Sequence, residues 1–134
     1  LAAIEDGSIG LEPPPELADR WARSGVLLLN SSLTLSRFRV EVDPHQSLGH
    51  LPLWRPLILA VLRRLAEGNA PLVVIALGDA ASDNARRAEV GKGAGALVID
   101  LPHPAFAEAF LERENPFPAC NAHLERMGGE AVDW

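Results

Sequence analysis

Three short stretches of the sequence carry side chains able to bind or polarise a small polar molecule: Asn30-Ser31-Ser32, Gly78-Asp79, and His103 set between Pro102 and Pro104. A carboxamide presents one acceptor and two donors on a planar head, so it can pair with the polar edge of a flat ligand. A neutral imidazole donates one hydrogen bond and stabilises negative charge developing on an oxygen. The two prolines stiffen the His103 loop. Each feature also has a plainer explanation: an asparagine at a strand end caps a turn, a loop histidine is fixed by packing, and Asp79 caps a following helix.

The elements that must position these residues are legible in the hydrophobic pattern. Val26-Leu27-Leu28-Leu29, Leu72-Val73-Val74-Ile75-Ala76 and Ala96-Leu97-Val98-Ile99 are continuous apolar runs, the pattern of strands buried on both faces of a parallel sheet. Between and around them the sequence predicts helices. The first covers about residues 16–23 and ends at Ser24-Gly25. The second begins at Trp54, repeats Leu57, Ile58, Val61, Leu62 and Leu65 at helical spacing, tolerates Pro56 in its first turn and closes at Gly68. A polar helix follows near 82–89, another follows His103-Pro104, and a last one near 118–127 stops at Gly128-Gly129. Alternating strands and helices define an α/β domain with a parallel sheet, whose ligands bind beyond the carboxyl ends of the strands. Those ends are Asn30, residues 78–82 and His103.

Composition narrows the function. A chain of 134 residues, 48% hydrophobic and 22% charged, suits a single domain over 1–134 with a buried core. The longest apolar run, residues 56–62, is far short of the roughly 20 residues of a membrane-spanning helix. No basic-plus-apolar leader pattern is present, so a cytoplasmic protein is expected. Leu1 in place of a methionine makes a processed or cropped piece of a longer chain the expectation.

Cys120 is the single cysteine and reads as a buried structural thiol. A net charge of -6 argues against a broad basic face for nucleic acid, so any such site must be local, built from loops and helix ends. His45 and His50 lie in the long irregular stretch before Trp54, where no third residue completes a metal site. Trp54 reads as core, and Arg63 and Arg64 read as a solvated face.

Taken together, residues 21–34 (Trp-Ala-Arg-Ser-Gly-Val-Leu-Leu-Leu-Asn-Ser-Ser-Leu-Thr), Leu101-Pro102-His103-Pro104 and the closing Glu130-Ala131-Val132-Asp133-Trp134 resemble, in order, motifs of the uracil-DNA glycosylase family. The resemblance implies a three-layer α/β/α fold with a parallel sheet that here lacks its first strand. It implies hydrolysis of the N-glycosidic bond of uracil in DNA after the nucleotide is flipped out. Asn30 would read the flipped base by pairing with N3–H and O4, a pattern cytosine reverses. His103 would be the catalytic group beside O2, where charge gathers as the bond breaks. Ser31, Ser32, Gly78 and Phe106 would contact the DNA, Phe106 as an apolar wedge. No cofactor or metal is implied, and the partner is DNA containing uracil.

The resemblance also departs in places. The family's water-activating aspartate sits in a loop of glycine, aspartate, proline and tyrosine that has no counterpart here, and the sequence contains no tyrosine. The strand before that loop lies inside the family's sheet. Without it the Asn30 strand lacks a neighbour, and each buried, unmatched ladder group costs roughly 1–3 kcal/mol. A companion chain or upstream segment is therefore expected to supply it. Ala105 stands where the family has a phosphate-binding serine, and Asp79 repels phosphate. The alternative function is a glycosylase-like DNA- or protein-binding subunit without catalysis; a third is a glycosylase for another damaged base.

Overall fold

The computed structural model describes residues 13–34, 50–68, 71–92 and 95–134. His45 lies outside them. Five helices and two strands run in the order α1 (Pro14–Arg23), α2 (Leu51–Ala66), β1 (Leu72–Leu77), α3 (Asp79–Arg87), β2 (Ala96–Leu101), α4 (Ala107–Leu111) and α5 (Pro116–Arg126) among the described residues. The chain divides into two compact units, one of residues 13–28 with 132–134 and one of the described residues from Leu29–Ala131.

In the larger unit, β1 and β2 pair in parallel, from Leu72 opposite Ala96 to Leu77 opposite Leu101. Parallel neighbours need a crossover, and α3 supplies it. Alternation along the pleat sends Leu72 and Val74, with Ala96 and Val98, to one face. There they pack on a cluster of buried Ile58 and Leu62 from α2 with Ala88 and Val90 from the turn after α3. The α/β class with a parallel sheet read from the sequence is the one observed.

Helix α2 starts earlier than its apolar spacing suggests, because Pro52 occupies the first turn, where a missing N–H costs nothing. Pro56 thus falls in the second turn and forgoes the bond to the Pro52 carbonyl. At α5 the Asn115 side chain accepts from the Phe117 amide at 3.0 Å, capping the helix ahead of Pro116. Buried His123 joins α5 to the start of β2: Arg126 donates to Nδ1 at 2.9 Å, and the other ring nitrogen donates to the Gly95 carbonyl at 3.2 Å. A guanidinium has no acceptor, which fixes that tautomer. Cys120 is buried on the same helix, and desolvation pushes its thiol pKa up, as its structural reading requires.

The smaller unit is built on α1. Gly25, at φ +84, ends the helix while Ser24, Gly25 and Val26 donate back to Arg20, Ala22 and Trp21 carbonyls. Residues 132–134 fold against it. The Trp21 and Trp134 rings meet edge to face with centroids 5.6 Å apart, and the Arg20 guanidinium reaches both the carbonyl and the carboxylate of Asp133.

One expected element is absent among the described residues. Val26-Leu27-Leu28-Leu29 forms no ladder with any described residue, and Leu27 and Leu28 are 58% and 68% exposed. An apolar run becomes a strand only when a neighbour accepts its backbone hydrogen bonds, and none is in place among the described residues.

Candidate functional site

Beyond the carboxyl ends of β1 and β2 the backbone turns sharply at Gly78. Its φ of +88 ends β1 and sets it as the N-cap of α3. The Gly78 amide donates to the Leu101 carbonyl at 2.8 Å, and the Gly78 carbonyl accepts from Ala81 and Ser82 at 3.0 and 3.1 Å. The two strand ends are thereby joined. Asp79, expected as the cap, is instead the first residue of the helix and makes no capping hydrogen bond, because a residue free to adopt positive φ already holds that position.

His103 follows two residues after β2. Its carbonyl accepts from Phe106 N–H at 2.8 Å, and its Nδ1 accepts from Ala105 N–H at 3.1 Å. With the Nδ1 lone pair engaged, the neutral ring carries its proton on Nε2. The imidazole is exposed. Gly78 lies directly against it: a β-carbon built on Gly78 would stand 2.9 Å from His103 Cβ.

Gly78, Asp79, Asp100, His103, Phe106 and Arg113 help line an open cleft of about 350 Å³. A neighbouring depression of about 560 Å³ shares Asp79, Ser82 and Asp100 but has neither Gly78 nor His103 in its wall. The smaller cleft is the chemically equipped one, since it holds a donor imidazole beside exposed Phe106. Its lining includes the basic Arg113 and the acidic Asp79 and Asp100.

Asn30, Ser31 and Ser32 line neither depression. Asn30 is exposed at the end of the extended run. Leu29 packs on the Ile58 and Leu62 cluster before it. After it, Ser32 Oγ donates to the Thr34 carbonyl at 2.9 Å, and Thr34 Oγ1 accepts from Trp54 Nε1 at 2.7 Å while lying 2.9 Å from His50 Nδ1. The segment is thus pinned to α2 on both sides of Asn30. Sequence reading found Trp54 as core and His50 as a loop residue, but not this network, since a Thr-Trp-His contact across 20 residues leaves no periodic signal.

Helices α2 and α3 are latched by charge. Asp83 accepts from Arg87 Nε at 2.7 Å and from Arg86, and Arg55 of α2 lies 3.5 Å away. Those Arg87 and Arg86 contacts hold the Asp83 carboxyl below the ordinary range. Arg63, read as solvated, is exposed but donates to the Arg87 carbonyl at 3.2 Å.

The chain is 36% identical over 135 residues to the uracil-DNA glycosylase of bovine herpesvirus 1.1, covering 99% of this chain and 61% of that protein. The chain is related to the uracil-DNA glycosylases. The enzyme so named from Bacillus subtilis is 32% identical over 116 residues, with 85% of this chain and 48% of its own length covered. A Nocardioides uracil-DNA glycosylase is 34% identical over 126 residues, 90% of this chain and 50% of its length. This chain therefore spans between 48% and 61% of the lengths of these family members. No protein-family profile matches it.

Proposed function

We propose that the chain forms a single uracil-DNA glycosylase-like domain over residues 1–134 and serves base-excision repair by hydrolysing the N-glycosidic bond of uracil in DNA after base flipping. The observation that carries this reading is the His103 imidazole, fixed by the Ala105 amide so that Nε2–H is the donor, at a strand end of a chain related to enzymes of that name. A hydrogen bond from that nitrogen to uracil O2 strengthens as negative charge moves onto the departing base, and a bond that strengthens toward the transition state lowers the barrier. The His103 N–H is the catalytic donor, and Asn30 pairs with N3–H and O4 of the flipped base. Ser31, Ser32 and Gly78 meet the DNA backbone. Exposed Phe106 fills the vacated stack.

The proposal includes a strand from a companion chain or preceding segment, seated on the free edge of β1 and carrying the water-activating carboxylate. The lone pair of strands among the described residues and the exposure of Leu27 and Leu28 motivate it. Cytoplasmic residence belongs to the same proposal; among the described residues no helix is long and apolar enough to cross a membrane. The relatives' names favour the enzyme over the subunit without catalysis.

The test is uracil release from a single-stranded oligonucleotide by the intact gene product. Asn30→Asp and His103→Ala are each expected to slow it by about 10²–10³-fold. Equal rates in both variants and the parent would remove these residues from the mechanism.

A further inference from the structure

Exposed histidines ordinarily sample several rotamers, yet the His103 ring is tied by a backbone hydrogen bond and stands next to a residue without a side chain. Ala105 N–H engages Nδ1 at 3.1 Å. The backbone of Gly78 also lies close to it: an ideal β-carbon there would lie 2.9 Å from His103 Cβ, 3.3 Å from Cδ2 and 3.5 Å from Cα. The first distance is closer than real β-carbons come. The remaining positive-φ glycines among the described residues lack this crowding. At Gly91, with a nearly equal φ of +90, a β-carbon would meet only Val98 Cγ2 at an ordinary 3.6 Å, and at Gly25 and Gly128 it would meet nothing within 4 Å.

We propose that Gly78 is a positioning residue for His103: the absence of a side chain at the end of β1 opens the space in which the imidazole turns its Nδ1 to the Ala105 amide and its Nε2–H outward. Two constraints coincide at this one residue. The positive φ lets the chain turn from β1 into α3, and the missing β-carbon lets the β2 loop close on it. A methyl group at 78 pushes on the Cβ of His103, the root of the side chain, so the ring moves as a body and the directional bond to Ala105 is lost. The structural claim is independent of activity; that the oriented donor serves uracil release rests on the function proposed above.

The test is a double-mutant cycle on the intact gene product, with Gly91→Ala as the control for positive-φ strain alone. Gly78→Ala is expected to lower the melting midpoint by about 5 °C more than Gly91→Ala, and His103→Gly, which deletes the crowded Cβ and Cδ2, to cancel most of that excess. If Gly78→Ala does not fold, the Gly78→Ala/His103→Gly pair is expected to fold again. Imidazole ¹⁵N spectra read the positioning itself: His103 shows a single Nε2-protonated tautomer in the parent and an averaged pattern in folded Gly78→Ala. Equal midpoints for the two alanine variants, no recovery in the double variant, or an unchanged tautomer overturns the proposal. Coupling present in a chain whose intact gene product releases no uracil would leave the positioning role standing and remove the glycosylase reading instead.

Discussion

Trp54 Nε1 donates to Thr34 Oγ1 at 2.7 Å, joining the segment that bears Asn30 to the first turn of α2 across 20 residues of sequence. Val26-Leu27-Leu28-Leu29 forms no ladder among the described residues, and this bond and the packing of Leu29 on the Ile58 and Leu62 cluster help to fix the chain around Asn30. Replacing Thr34 by valine keeps the shape and removes the hydroxyl. The expected cost is about 0.5–1.5 kcal/mol in urea unfolding, with faster amide exchange at residues 30–34. Unchanged exchange there would show that Leu29 alone holds the segment.

Asp83 supplies a pH-dependent term. Hydrogen bonds from Arg87 and then Arg86 lower its pKa below the ordinary 3.8, so the folded state binds the carboxylate form more tightly than the unfolded state does. Its contribution is fully present above that ordinary value and fades as pH falls through the lower folded value. Asp83→Asn is expected to melt a few degrees below the parent at pH 7, with the gap closing below about pH 4. A gap that persists in strong acid would mean that packing, not charge, is responsible.

Ile58, 2% exposed, is the most buried member of the cluster between α2 and the sheet. Truncation to alanine leaves a cavity beneath β1 and β2 and is expected to cost about 2–5 kcal/mol by denaturant unfolding. A loss under 1 kcal/mol would indicate that α2 collapses into the space.

Phe106 is 69% exposed beside His103. A wedge matters when a base must be extracted from a duplex and matters little when the strand is already single. Phe106→Ala is therefore expected to slow uracil release from duplex DNA about tenfold or more while leaving single-stranded substrate within about twofold. Equal effects on both substrates would assign Phe106 to the loop's architecture.

The sequence by itself determined the local elements and their order. Helical spacing of Trp54, Ile58, Val61 and Leu62 located α2, and the apolar runs beginning at Leu72 and Ala96 located a parallel pair, because burial and backbone periodicity act over neighbouring residues. It also marked Gly78 and His103 as strand-end residues, which the cleft brings together. It failed where a second segment decides the outcome. The run Val26-Leu27-Leu28-Leu29 has the composition of a strand and no ladder among the described residues, since pairing belongs to two segments and hydrophobicity to one. Asp79 has the chemistry of a cap, but the cap went to Gly78, whose φ is set by how β1 must turn beside β2. Only the tertiary structure put the bare backbone of Gly78 against His103 and the Thr34 hydroxyl against Trp54, because contacts between residues 20 or more apart are chosen by packing geometry that no local pattern records.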